Sequence, residues 1–265
     1  MSIPKIIHYC WLGGNPKPES VLRCIESWRK HCPDYEIREW NESNLDISMN
    51  EYTRQAYEAK AWGFVPDYLR LWIVYTHGGI YLDTDVQIIR SFDPLLRHEA
   101  FAGFERGTAD QDGFFVNFGQ GFGAEAGNTI ILKHMRLYDN LNFRNADGSY
   151  NRLASPHYTT DTLVAHGLDR KKNTIQNLAG ITIYPDDRFC PKSFATGIVH
   201  RSQNTYSIHQ FDGSWYSQEE QEQREQWERN ARIDYWLHLP HRIGRKLLGN
   251  TLYEQLKGFL KNERK

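Results

Sequence analysis

The chain lacks the cysteine spacing that builds a zinc site or a disulfide scaffold: its four cysteines stand at positions 10, 24, 32 and 190, too sparse and irregular for either. They read as free thiols in a reducing compartment, with the cytoplasm as the expected location. No apolar run approaches the roughly 20 residues that cross a bilayer. The N-terminal MSIPKIIHYCWLGG places a proline and a lysine where an export signal needs unbroken apolar residues. A formal net charge of −1 over 265 residues gives no reason to expect nucleic acid as a partner. Internal repeats, low-complexity linkers and a Gly-Lys phosphate loop are also missing. What the chain has in quantity is aromatic: 8 Trp, 15 Tyr and 13 Phe, most of them expected in the core, the rest suited to nucleobases and sugars.

Hydrophobic patterning predicts an α/β chain. Lys5 to Leu12 (KIIHYCWL) is β-rich and ends at Gly13-Gly14; Glu19 to His31 places Val21, Leu22, Ile25 and Trp28 at helical spacing; Tyr35 to Trp40 alternates as a second strand. Tyr52 to Ala61 reads as helical. Pro66, at a first helical position, opens PDYLRLWIVYTH, which closes at Gly78-Gly79. Short strands follow at Val86 to Ile89, Phe101 to Glu105 and within FFVNFGQGFGAE, then a helix from Thr129 to Leu141, a short helix near Asp161 to His166, and the strand ITIYP.

One short stretch carries chemistry. In GGIYLDTDVQII, an apolar run stops at Asp83 and Asp85 and then resumes. In an extended chain side chains alternate, so both carboxylates are expected on one face with Thr84 on the other. Two such groups at the edge of a core repel unless a cation compensates them, and a hard divalent ion carried by a diphosphate is the natural compensator. The other pair at this spacing, Asp110 and Asp112, stands in the polar stretch GTADQDG and reads as a solvated turn. On the preceding helix Asp67 and Arg70 are three apart, sharing the side opposite Leu69, Trp72, Ile73 and Thr76, and are expected on the exposed face.

Together these residues resemble the sugar transferases with a DXD motif, glycosyltransferase family 32. The resemblance rests on IPKIIHYCWLGG (Ile3 to Gly14), SWRKHCPDYEIREWN (Ser27 to Asn41), PDYLRLWIVYTHGGIYLDTDV (Pro66 to Val86) and YSIHQFDGSW (Tyr206 to Trp215). It implies a GT-A type nucleotide-sugar-binding fold with a central mixed sheet, retaining transfer, and a manganese or magnesium ion. It further implies roles: Trp11 stacks on the base, Asp67 and Arg70 hold the donor, Asp83 touches donor hydroxyls, Asp85 and His209 take the metal, and Ser214 and Trp215 close over the diphosphate. Asp83, Asp85 and Arg70 are thus the expected catalytic set. Glu125 and Asp161 are the expected acceptor-side carboxylates, although neither stands out as a nucleophile. The donor the resemblance favours is a UDP-sugar, with a GDP-sugar as the other carrier; the acceptor is a glycan, lipid-linked in capsule or lipopolysaccharide synthesis.

The C-terminus changes character. Gln218 to Arg229 reads as a solvated helix, whereas residues 232–265 carry eight Lys or Arg against three Asp or Glu, interleaved with large apolar residues. This gives a transferase domain at 1–231 and, at 232–265, a basic amphipathic helical segment packed on the domain or resting on the inner face of a membrane. Two other readings fit the same aspartates: a sugar- or nucleotide-binding module with a structural ion, and a phosphohydrolase or nucleotidyltransferase, disfavoured by the missing phosphate loop.

Overall fold

The N-terminal third assembles as its patterning predicts. In the computed structural model, which describes residues 2–105, 113–213, 218–249 and 251–254, strand β1 (Ile6–Cys10) leads to helix α1 (Glu19–His31), strand β2 (Glu36–Trp40), helix α2 (Glu51–Glu58) and helix α3 (Pro66–His77). Gly78 and Gly79, both at positive φ, turn the chain from α3 into strand β3 (Gly79–Tyr81), a conformation that favours glycine. Strands β4 (Val86–Ile88), β5 (Ala100–Glu105), β6 (Phe115–Val116) and β7 (Phe122–Ala124) follow, then helices α4 (Thr129–Tyr138) and α5 (Ser155–Val164) and strands β8 (Gln176–Leu178), β9 (Ile181–Tyr184) and β10 (Ser207–His209). Helices α6 (Gln218–Leu237) and α7 (Leu239–Leu248) come last.

The main sheet is mixed, in the order β2-β1-β3-β7-β5-β9-β8, with β6 paired to β5. Strands β2, β1 and β3 are mutually parallel, β7 runs against both β3 and β5, and β9 runs parallel to β5. The carboxyl ends of β1, β2, β3, β5 and β9 therefore lie along one edge, which is where open α/β sheets bind ligands. A second, two-stranded sheet pairs β4 with β10 antiparallel. The α/β class and the central mixed sheet expected from the sequence are both present.

Two apolar cores flank the main sheet. Alternation along β3 sends Ile80 and Leu82 into one, with Val21, Ile25 and Trp28 of α1, and Tyr81 into the other, with Leu69 and Ile73 of α3 and Ile131 and Tyr138 of α4. Each fully buried large apolar side chain contributes about 1.5–3 kcal/mol by transfer from water. The four cysteines are buried and form no disulfide with one another.

Several boundaries differ from the sequence reading. The helix expected near Asp161 begins at Ser155, with Pro156 in its first turn, a start signal of the same kind as Pro66. Helix α6 runs through position 232, because no glycine or proline interrupts the chain before Pro240. The chain divides into two compact units, one of Met1–Phe194 with Ile198–Trp215, the other of Ala195–Gly197 with Tyr216–Lys265. The expected boundary at 231/232 thus falls inside a helix. The Asp110–Asp112 pair lies outside the described residues.

Candidate active site

The two aspartates do not sit in a strand. Strand β3 ends at Tyr81, and residues 83–85 form a turn closed by the Val86 N–H donating to the Asp83 carbonyl at 3.1 Å. The expectation that alternation aims both carboxylates to one face fails here, because the chain turns from the main sheet into the second one. Each aspartate instead finds its own cationic partner.

Asp83 faces Arg70, Oδ1 to Nη2, at 3.3 Å, and the same Nη2 lies 3.3 Å from Asp67 Oδ1. Asp67 and Arg70 were expected on an exposed helix face, yet they are 4% and 5% accessible. Helix α3 is buried on nearly every side, since the sheet covers one flank and α2 and α4 pack against others, with Ser155 at the start of α5 reaching Arg70. The i,i+3 pair is consequently no surface ion pair but the closed end of a carboxylate–guanidinium–carboxylate triad. The side chain of Asp83, 27% accessible, is the member that reaches solvent. Arg70 Nη1 meets Ser155 Oγ at 3.4 Å at the start of α5, and the guanidinium lies 5.4 Å from the Tyr81 ring centre. Burial pushes the Asp67 carboxyl up to about 6 against the pull of Arg70. Arg70 stays protonated, because the two carboxylates outweigh the burial that disfavours its charge.

Asp85 faces His209 of β10, Oδ1 to Nε2, at 3.2 Å. The Asp212 N–H donates to Asp85 Oδ2 at 3.0 Å, and the Gln210 N–H donates to the Asp85 carbonyl at 2.9 Å. Burial alone drives an imidazole towards the neutral form, but Asp85 reverses this and holds His209 well above the ordinary histidine range. The Asp85 carboxyl is likewise held low by His209 and the Asp212 N–H, despite burial acting the other way. Between His209 and Asp212 stands Phe211 at φ +57°, its ring 4.2 Å from the imidazole. A non-glycine residue in the left-handed region costs of order 1 kcal/mol and is concentrated at functional sites.

Trp11, just past β1, is half-buried, and its indole N–H donates to the Asn15 carbonyl at 2.7 Å. Lys17 Nζ lies 5.7 Å from its ring centre. Trp11 and Asp83 therefore occupy the same edge of the sheet. Glu125 does not: the register Gly79↔Ala124 and Tyr81↔Phe122 places it beyond the opposite end of β3. Asp161 is exposed on α5, six residues past the Ser155 that meets Arg70. Neither carboxylate is brought to the aspartates, because β7 runs antiparallel to β3 and because Asp161 lies on the outward face of α5, whose buried side carries Thr159, Thr160 and Leu163. Ser214 and Trp215 lie outside the described residues.

Sequence reasoning passed over three residues. The Gly119 carbonyl accepts from the Asp83 N–H at 2.8 Å, and a Cβ at this position would stand 1.9 Å from Asp83 Oδ2. Asn117, 7% accessible, accepts from the Gly119 N–H at 2.6 Å and donates through Nδ2 to Glu105 Oε2 at 2.9 Å. Glu105 ends β5, and its carboxyl is pushed up by burial while Asn117 and the His209 charge pull it down. Only the GQG of FGQG hinted at this loop.

Among the described residues, no group of three or more His, Cys, Asp or Glu is placed to hold a metal ion. Asp85 with His209 is the pair of side chains at this edge that could offer donors to a divalent cation. Two ligands about 2.1 Å from a Mg²⁺-like ion at a right angle are about 3 Å apart, so the 3.2 Å pair fits adjacent positions on one ion. The remaining positions suit a ligand that carries its own oxygens.

Residues 18–102 match a family model described as a glycosyltransferase sugar-binding region containing a DXD motif. That span includes the Ser27–Asn41 and Pro66–Val86 motifs, so the resemblance read from them holds. The chain is 37% identical over 108 residues to inositol phosphoceramide mannosyltransferase 3 of Schizosaccharomyces pombe, covering 38% of this chain and 29% of that protein. It is 28% identical over 106 residues to inositol phosphoceramide mannosyltransferase 1 of the same yeast, covering 37% and 33%. The chain thus spans about a third of the length of the curated relatives it matches. Among solved structures, PaToxG glycosyltransferase aligns at a TM-score of 0.49 and 22% identity, over 62% of this chain and 70% of that one.

Proposed function

We propose that this chain, whose residues 18–102 carry a DXD-containing glycosyltransferase sugar-binding region, transfers a sugar from a nucleoside-diphosphate sugar to an acceptor hydroxyl with the help of a divalent cation. The observation that carries the reading is the turn at 83–85. It offers one partly accessible carboxylate backed by a buried Arg70–Asp67 pair and a second held against His209, both at the carboxyl edge of the sheet.

Each group then has a task. Trp11 presents an indole fixed by Asn15 as a platform for the base. Asp83 accepts hydrogen bonds from sugar hydroxyls, while Arg70 fixes its rotamer and Asp67 balances Arg70 from behind. Asp85 and His209 would hold manganese or magnesium, and the ion when bound supplies charge neutralisation for the departing diphosphate. Because Asp85 keeps His209 protonated, loading an ion requires that proton to leave, so affinity for the ion rises with pH. Retention follows from the resemblance; departure and attack on one face is the route proposed, since no carboxylate stands out as a nucleophile and Glu125 and Asp161 lie away from the aspartates. UDP is the proposed carrier, with GDP tested beside it.

The acceptor proposed is a hydroxyl on a lipid-linked headgroup or glycan. The curated relatives are named for inositol phosphoceramide, a lipid, rather than for capsule or lipopolysaccharide. In the second unit, Arg229, Arg232, Ile233, Trp236 and Leu237 line one side of α6, and Ile243 and Leu247 are exposed on α7 beside Arg245 and Lys246. Apolar residues rimmed by cations suit an anionic membrane surface. No helix among the described residues is long and apolar enough to cross a membrane.

The test is a nucleotide-sugar hydrolysis screen with and without Mn²⁺ or Mg²⁺, comparing wild type with Asp85→Ala. Cation-dependent release of nucleotide from one donor, reduced at least 100-fold in the variant, is the expected result. No turnover in wild type, together with no nucleotide binding by calorimetry, overturns the reading in favour of a structural pair of aspartates.

A further inference from the structure

Glu105 is a carboxylate that the proposed roles leave unused, and its setting is built. It ends β5, two strands from β3 in the sheet, which at strand spacing is about 10 Å along the ligand-binding edge, on the side away from Trp11. Its Oε2 accepts from Asn117 Nδ2 at 2.9 Å. Asn117 Oδ1 in turn accepts from the Gly119 N–H at 2.6 Å, and the Gly119 carbonyl accepts from the Asp83 N–H at 2.8 Å. A continuous chain of three hydrogen bonds thus ties Glu105 to Asp83. The buried Gln120 adds a clamp, its amide donating to the carbonyls of Gly103 and Phe104 at 2.8 and 3.0 Å. These are the two residues before Glu105.

Glu105 is partly accessible, so a carboxylate fixed at one oxygen by a side-chain amide and registered to Asp83 can present its other oxygen to a ligand. The sequence order along the edge is informative: the base platform at β1, the cation and Asp83 at the end of β3, and Glu105 beyond them. A diphosphate bound through a cation on Asp85 and His209 would have its sugar within reach of Asp83 and, on the far side from Trp11, of Glu105.

We propose that Glu105, held by Asn117, is a hydroxyl-binding carboxylate for the transferred sugar, and that it sets which sugar is accepted. The inference rests on the nucleotide-sugar reading above and deepens it. The class of ligand is a hexose or hexosamine with a free hydroxyl turned towards β5. Its recognition follows the general rule that a site built to hydrogen-bond a hydroxyl rejects the analogue that lacks it.

Calorimetry tests the proposal with matched ligands: the nucleoside diphosphate and its sugar conjugate, each with Mg²⁺, against wild type and Glu105→Gln. The glutamine keeps the shape and still accepts from Asn117. The expected result is an unchanged Kd for the nucleoside diphosphate and a Kd for the sugar conjugate raised about 10- to 100-fold, the loss of one charge-assisted hydrogen bond. Equal effects on both ligands, or none on either, overturn the assignment. Should Glu105→Gln fail to fold by thermal melt, Asn117→Ala unpins the same carboxylate and is read the same way, with the same outcomes. Wild type that binds neither ligand defeats the transferase reading itself, an outcome distinct from binding that Glu105→Gln leaves untouched.

Discussion

Gly119→Ala is the sharpest single perturbation of this site. The glycine is not at a positive φ and is not needed for a turn; its reason is distance. A Cβ would sit 1.9 Å from Asp83 Oδ2, 2.8 Å from its carboxyl carbon and 3.1 Å from Asn117 Oδ1. Reaching ordinary contact requires the Asp83 oxygen to retreat by about 1.3 Å, since carbon–oxygen contacts settle at about 3.2 Å or more. The Asp83 backbone cannot follow, because its N–H is bonded to the Gly119 carbonyl, so the side chain must rotate away from Arg70. Stability should fall only by about 1–2 kcal/mol, at the low end of overpacking, because a partly accessible carboxylate can swing out. Activity should suffer far more: misplacing a substrate-positioning group by about 1 Å costs roughly 100-fold. The assay is cation-dependent nucleotide release alongside a thermal melt, for Gly119→Ala, Asp83→Ala and the double variant. If the alanine acts through Asp83, adding it to Asp83→Ala has no further effect on rate. Full activity in Gly119→Ala, or fully additive losses in the double variant, refutes the chain of reasoning.

Two further outcomes follow from the charges. In wild type without added metal, the His209 imidazole should titrate well above 6.5 by NMR, and in Asp85→Asn its pKa should fall, because burial then loses its main opponent; a wild-type His209 titrating near 6.5 refutes the pairing. The same pair fixes a stability window. Asp85, held below its ordinary 3.8, contributes stability that is lost as pH falls through its folded value, and His209, held above 6.5, contributes stability that is lost as pH rises through its own. For the second unit, wild type should float with vesicles containing phosphatidylserine and not with neutral ones, and Arg245→Glu with Lys246→Glu should weaken this at least tenfold, at about 1 kcal/mol per basic residue near the surface. Equal flotation of the variant removes the helix from the story.

Much of the scaffold was legible because its signals are local. Pro66 and the Gly78-Gly79 pair bracket α3, alternation in YEIREW marks β2, and the run broken by Asp83 and Asp85 located the site. What the sequence hid depends on tertiary packing. An i,i+3 acid–base pair looks the same whether solvent or α5 covers it, so the burial of Asp67 and Arg70 was invisible until Ser155 was seen beside them. Alternation predicted where Asp83 and Asp85 point only if the strand continued, and it does not, because β4 belongs to another sheet. The role of Gly119 is a separation between atoms 36 positions apart in the chain, which no pattern of residue types encodes. Glu125 was read as a candidate from the glycine-rich FGQGFGAE, yet the antiparallel register of β7 sends it to the opposite end of the sheet, while Glu105 carried no signal of its own.

The charge balance of the assembled edge gives these substitutions opposite expected signs under rival readings. Four carboxylates, those of Asp67, Asp83, Asp85 and Glu105, face two cations, Arg70 and His209, while Asp212 and Lys192 beside them offset one another. A site with an excess of two negative charges repels a nucleoside diphosphate. If the aspartates were merely structural, removing one would lessen that repulsion, and Asp85→Ala would bind nucleotide more tightly. If a divalent ion bridges the two anions, the same substitution removes the bridge and binding weakens, despite the gain in plain Coulomb terms. Glu105→Gln separates in the same way: repulsion alone predicts tighter binding of both ligands, whereas a hydrogen bond to the sugar predicts weaker binding of the conjugate only. The direction of each change, before its size, decides whether these carboxylates act on a ligand or only on one another.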